Sequence, residues 1–285
     1  MRASALLALF CGAVCIALSP IWVRVADVGP IASAFWRVAL AVPLLWSIAV
    51  GVRAPMRAAG ARPALLAAAG LAFAGDLAFW HGSIQLTSVA NSTLLANLAS
   101  IFVTLGAWAL WREKPRTLFL VGLALALGGV ALLVRASVAV SPRALLGDGL
   151  GVVTALFYAW YLMTVKRLRD GGLGVVALMA WSTTLTACVL LPVALASGEP
   201  LMPASAAGWL KLVGLAWISH AMGQGLIAFA LAHLPAAFSA VALLLQPVMA
   251  ALLAWVLLGE PVGALQLAGG AVVLAGIYLA RRASL

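Results

Sequence analysis

Apolar stretches of about twenty residues follow one another along the whole chain, and the polar residues fall in short gaps between them. The stretches are rich in Ala and Leu. They lack the alternation of strands and the ten-residue rhythm of a membrane barrel. A helix needs roughly 20 apolar residues to cross a hydrocarbon core about 30 Å thick. Breaks at charge, Pro or Gly predict ten helices, at residues 4–25, 32–51, 63–86, 89–111, 117–135, 146–166, 173–196, 207–231, 236–258 and 262–281. No gap is long enough for a soluble domain, so the expected fold is an all-α integral membrane protein.

Composition agrees with the pattern. The 285 residues are 66% hydrophobic and 8% charged, with a mean hydropathy of +1.17. A soluble domain carries about 25% charged residues, so this chain has too few to cover a water-facing surface. The net charge of +10 does not point to nucleic acid, because the basic residues form no patch with interleaved aromatics. With the N-terminus placed in the cytoplasm, twelve of the 17 Lys and Arg fall on the inner side. They are Arg2, Arg53, Arg57, Arg62, Arg112, Lys114, Arg116, Lys166, Arg167, Arg169, Arg281 and Arg282. Arg24, Arg135, Arg143 and Lys211 fall outside, and Arg37 lies within the second helix. This asymmetry predicts cytoplasmic termini in a bacterial-type inner membrane. The first stretch resembles a signal peptide, but its apolar run continues through Pro20 to Val23, which suits a retained span. Cys11, Cys15 and Cys188 lie inside apolar runs and read as small core hydrophobes. Metal-ligand spacing is absent, and no cofactor is expected.

The chain also repeats itself. "LWREKPRTLFLVGLALALGG" at 110–129 matches "LLGEPVGALQLAGGAVVLAG" at 257–276 without a gap. Trp108 aligns with Trp255, Glu113 with Glu260, Gly122 with Gly269 and Gly129 with Gly276. A second echo pairs "GLAF" at Gly70 with "GLAW" at Gly214. The halves, 1–140 and 141–285, hold five helices each. An odd number turns the second half upside down, which puts the Glu113 loop inside among bases and the Glu260 loop outside without them. Charge bias and repeat agree on two inverted five-helix repeats, a hallmark of secondary transporters with a midplane site between the halves.

The stretch from Leu243 to Leu279 resembles the second half of an EamA-type protein of the drug/metabolite transporter superfamily. Pro247, Glu260, Gln266, Gly269 and Gly276 carry the likeness, and Arg37 in "FWRVAL" is similar to an arginine of that family's second helix. The resemblance implies a ten-helix bundle with a central cavity that exports or exchanges small metabolites. The bacterial amino-acid exporters, aromatic ones included, are the branch it suggests. Ser100 departs from the pattern where the first half would carry the counterpart of Pro247, so helix 4 is expected to bend less than helix 9.

Polar groups inside a span face a cavity or a partner. Asp76 in helix 3 corresponds through the second echo to His220 in helix 8, and Gln224 follows His220 by one turn of a regular helix. His81, five residues after Asp76, points away from it. Asn97 and Gln246 add amides, and Pro247 frees a backbone carbonyl. Tyr158 and Tyr161, with Trp80, Trp160, Trp181, Thr183 and Thr184, would give an aromatic wall. Asp76, His81, Asn97, Tyr158, Tyr161, His220, Gln224 and Gln246 are therefore the candidate substrate-binding residues, and each has an alternative as a hydrogen-bonded structural group. Arg37 reads as a structural or gating residue near the outer mouth. Trp22, Trp46, Trp111 and Trp209 read as interface anchors, and Glu113 and Glu260 as helix-start residues. The expected function is a secondary transporter of small molecules, most of all amino acids. The alternatives are a passive channel or an intramembrane enzyme. The second has little support: Gly147-Asp148 lacks the preceding glycine of a membrane aspartyl protease, and no Gly-x-Ser-x-Gly or phosphate-binding loop is present.

Overall fold

The computed structural model describes residues 2–56, 63–87, 89–112, 114–134, 142–259 and 263–284. Glu113, Glu260 and the 140/141 boundary between the expected halves lie outside the described residues. All regular structure among the described residues is helical. Among the described residues, nine helices are long and apolar enough to cross a membrane: α1 Ala3–Val23, α2 Pro30–Gly51, α3 Pro63–Leu86, α4 Ser92–Trp111, α6 Pro142–Asp170, α7 Val175–Ala196, α8 Ala206–Leu231, α9 Ala236–Leu257 and α10 Ala264–Ser284. A shorter apolar helix, α5 at Thr117–Leu132, makes the tenth. Proline opens α2, α3 and α6, where its missing N–H has no helical acceptor to serve.

Packing follows the inverted repeat. Helix α3 lies along α6, and its counterpart α8 lies along α1. Helices α5 and α10, the last of each half, run against each other. There the repeated glycines meet crosswise. A Cβ added to Gly122 would sit 2.7 Å from the carbonyl oxygen of Gly276, and one on Gly129 would sit 2.7 Å from that of Gly269. In the sequence Gly122 aligns with Gly269 and Gly129 with Gly276, so each glycine meets the counterpart of the other. A two-fold axis between the halves requires this self-complementary pattern. Small residues let the two backbones approach where lipid gives no hydrophobic drive.

Several spans are interrupted. Helix α1 breaks at Leu18, two residues before Pro20. Helix α4 breaks at Asn97–Leu98 and α9 at Leu243–Leu244, within one residue of equivalent places in the repeat. Both breaks tighten to three-residue hydrogen bonding: Ser100 N donates to Asn97 O at 3.2 Å, and Gln246 N to Leu243 O at 2.9 Å. In α9 the cause is Pro247, which has no N–H to offer Leu243. The expectation that α4 would bend less for want of a proline has to be set beside a break in both helices. Side chains do the work in α4. Ser100 Oγ donates to Asn97 O at 2.9 Å, Asn97 Nδ2 to Thr93 O at 2.9 Å and Thr104 Oγ1 to Ser100 O at 2.7 Å. Such back-bonding supplies local partners to a loosened turn and bends helices. Helix α8 carries a π-helical stretch, Leu215–Gln224.

The cysteines correct the sequence reading. Cys11 and Cys188 are exposed and Cys15 is half-buried, so they are not core residues; apolar residues on the outer face of a membrane bundle meet lipid instead. The Trp22 ring packs against Gly214 of α8. Trp46 Nε1 donates to Thr184 Oγ1 at 3.0 Å and its ring meets Trp181 edge-on, which pins α2 to α7. Trp160 and Trp181 are exposed on the outside of the bundle and form no cavity wall.

At one end of the bundle the α7–α8 connection is tied across α2 and α3. Glu199 accepts from the Ala32 N–H at 2.8 Å and also from Gln85 Nε2. Trp36 Nε1 donates to Leu201 O at 2.6 Å, and Ser205 Oγ to Asp27 at 2.8 Å.

Candidate functional site

The interrupted helices converge on one cavity of about 90 Å³. A water needs about 15 Å³ by this measure, so the space suits a small solute. Its wall takes Ile16, Ala17, Ser19 and Pro20 from the α1 break, Thr93, Ala96 and Asn97 from the α4 break, and Gln246, Pro247 and Ala250 from the α9 break. Gln224 reaches it from the end of the π stretch, Thr154 and Tyr158 from α6, Asp76, Leu77 and Trp80 from α3, and Arg37 from α2. Both halves contribute. The sites of secondary carriers are built in this way, from broken helices near the middle of the bundle.

Buried polar atoms without partners concentrate here. Nine such side-chain atoms occur among the described residues, and five belong to residues that line this cavity: Ser19 Oγ, Arg37 Nε, Tyr158 Oη, Gln224 Oε1 and Gln246 Nε2. The Tyr158 hydroxyl lies beside the amides of Gln224 and Gln246. A buried unpaired polar group costs about 1–3 kcal/mol, and five of the nine belong to residues around one space.

Of the eight residues singled out in the sequence, Asp76, Asn97, Tyr158, Gln224 and Gln246 line the cavity. His81, Tyr161 and His220 lie off it. His81 is buried against Trp80, with Nδ1 a long 3.5 Å from Ser33 Oγ. Tyr161 is packed in the core against Phe73. His220 also stacks against Phe73, with Nε2 2.9 Å from Thr183 Oγ1 on α7. Sequence spacing puts His220 and Gln224 on one face, but the wider π turn is not completed by four residues, so only Gln224 arrives.

Arg37 is the residue whose place the sequence reading missed. It is 4% exposed and lines the cavity together with Asp76, instead of standing at a mouth. Its charge lies within electrostatic reach of Asp76, yet the two form no ion pair, the described one being Lys166 with Asp170 at 2.6 Å. A charged side chain eight residues into an apolar span was the available signal.

The family model of the EamA-like transporter family matches residues 3–135 and 145–282. The chain belongs to that family. It is a multi-pass membrane transporter of ten helices in two inverted repeats. It is similar to a probable terminal-alkyne amino-acid exporter of Streptantibioticus cattleyicolor, at 30% identity over 83% of this chain and 78% of that one. It is also similar to a probable amino-acid metabolite efflux pump of Salmonella typhimurium, at 29% identity over 72% of each. A solved crystal structure shares the fold with a TM-score of 0.84 at 17% identity, covering 100% of this chain and 99% of the other.

Proposed function

We propose that this EamA-family transporter exports or exchanges amino acids, aromatic ones included, by alternating access to the cavity between its halves. The observation that carries the proposal is the group of unpartnered buried polar atoms on residues of α1, α2, α6, α8 and α9 that line one cavity. The names of the two relatives, an amino-acid exporter and an amino-acid metabolite efflux pump, support the substrate class. Residues 1–140 and 141–285 are the two moving halves in this reading. The membrane is a bacterial-type inner membrane with both termini in the cytoplasm, as the distribution of Lys and Arg supports.

Counterflow of labelled amino acids into liposomes loaded with unlabelled ones tests the proposal. Tyr158→Ala and Gln224→Ala should each slow uptake per folded molecule by at least about tenfold, the effect of losing about 1.4 kcal/mol of solute contact. Spin-label distances between the ends of α3 and α8 that flank Gln85 and Ser205 should show two populations whose ratio shifts with the transported solute. Unsaturable uptake without counterflow would indicate a passive channel instead.

A further inference from the structure

We propose that the cavity recognises its solute by the two ionised ends of an α-amino acid: Arg37 takes the carboxylate and Asp76 the ammonium. This rests on the reading of the cavity as the amino-acid site, and goes beyond it by assigning the two ends to two residues.

Arg37 and Asp76 are the two charged side chains among the lining residues. They stand on neighbouring helices, α2 and α3, and sense each other without an ion pair. Two opposite charges buried in an apolar bundle gain from direct contact, so a held gap is informative. The Arg37 Nε has no acceptor although the side chain is nearly fully buried. Its guanidinium lies over the Phe73 ring at 6.0 Å. The ring supports one face of the cation. The edge that carries Nε matches a carboxylate with two parallel hydrogen bonds.

Charge balance selects the solute. The lining carries one positive and one negative side chain, so its formal charge is zero. A zwitterion pairs with both and leaves nothing uncompensated. An amine leaves Arg37 without an anion, and a carboxylic acid leaves Asp76 without a cation. An uncompensated charge in such a place is strongly unfavourable. The amides of Gln224, Gln246 and Asn97 and the Tyr158 hydroxyl are neutral and add hydrogen bonds without changing this balance. Leu77, Trp80 and Pro247 give an apolar wall for the rest of the solute.

The test uses the full-length protein in lipid nanodiscs and three probes with one side chain: L-phenylalanine, 2-phenylethylamine and 3-phenylpropionate. The same triplet built on leucine serves as a second series. Wild type should bind each amino acid at least about tenfold tighter than its amine or its acid. Arg37→Gln should weaken the amino acid and strengthen the amine, since Asp76 then stands alone. Asp76→Asn should weaken the amino acid and strengthen the acid. A gain of binding cannot come from misfolding. If Arg37→Gln fails to fold, Arg37→Lys, which keeps the charge, should retain the preference over the amine, and the Asp76→Asn arm still decides the pairing. Unchanged preferences in folded Arg37→Gln and Asp76→Asn, with binding that Tyr158→Ala still weakens, overturn this assignment and leave the cavity as the site. Binding that Tyr158→Ala and Gln224→Ala do not alter overturns the cavity itself. Failure of wild type to bind either amino acid overturns both.

Discussion

His220 and Gln224 are four residues apart on α8, and their surroundings assign them different tasks. His220 is packed between Phe73 and Thr183, off the cavity, and Gln224 lines the cavity. Thr183→Val should therefore lower the thermal midpoint, since it removes a hydrogen bond between helices worth about 0.6–2 kcal/mol. Transport per folded molecule should stay unchanged. Gln224→Ala should give the reverse, a midpoint close to wild type with transport lost. Measuring both quantities on the same proteoliposomes checks the pair, and the same pattern in both variants would contradict the division. The polar residues to watch could be found from the sequence, because an amide or carboxylate inside a span stands out. Their facing could not. It depends on a π stretch in α8 that no spacing rule anticipates, and on the depth of Arg37.

The breaks in α4 and α9 lie within one residue of equivalent places, but different chemistry makes them. Proline removes a donor in α9, and hydroxyl and amide side chains take over the freed carbonyl in α4. Proline at residue 100 should then cost the bond from Ser100 N to Asn97 O and otherwise fit the interruption already present. We expect Ser100→Pro to fold and Leu105→Pro, in the regular part of the same helix, to lose about 3 kcal/mol or more. Thermal unfolding of the two purified variants compares them. The α5–α10 contact makes a second prediction. A methyl group at Gly276 would stand 2.5 Å from the Ala126 backbone nitrogen, and one at Gly128 would meet nothing within 4 Å. Backbone cannot yield as a side-chain tip can, so Gly276→Ala should destabilise by about 1–3 kcal/mol. Gly128→Ala should be neutral or stabilising by up to about 1 kcal/mol, as alanine favours helix. The melting temperatures should move in opposite directions or differ clearly.

For the whole molecule, the proposed orientation sends the α7–α8 connection outward and the α6–α7 turn inward. With Cys11, Cys15 and Cys188 replaced, a cysteine at Met202, which is 61% exposed, should react with an impermeant thiol reagent in intact cells. A cysteine at Asp170 should react after the cells are opened. Its ion pair with Lys166 is on the surface and contributes little, so the change leaves the fold intact. The opposite labelling pattern would reverse the orientation.

By itself the sequence determined the solvent, the number of spans and the inverted repeat. Each follows from quantities that add along the chain: apolar length against bilayer thickness, the excess of Lys and Arg on one side, and glycines at one offset in both halves. It also marked Asp76, Asn97, Tyr158, Gln224 and Gln246 as groups that need a partner. The tertiary structure alone decided which of the marked groups share a space. It put Arg37 in the cavity wall with Asp76, withdrew His81, Tyr161 and His220 into the packing, and turned Cys11 and Cys188 outward. The physical reason is that facing depends on the local turn geometry of each helix and on its neighbours. One π stretch or one side-chain-capped break rotates every later residue on that helix, and neither leaves a regular mark in hydropathy.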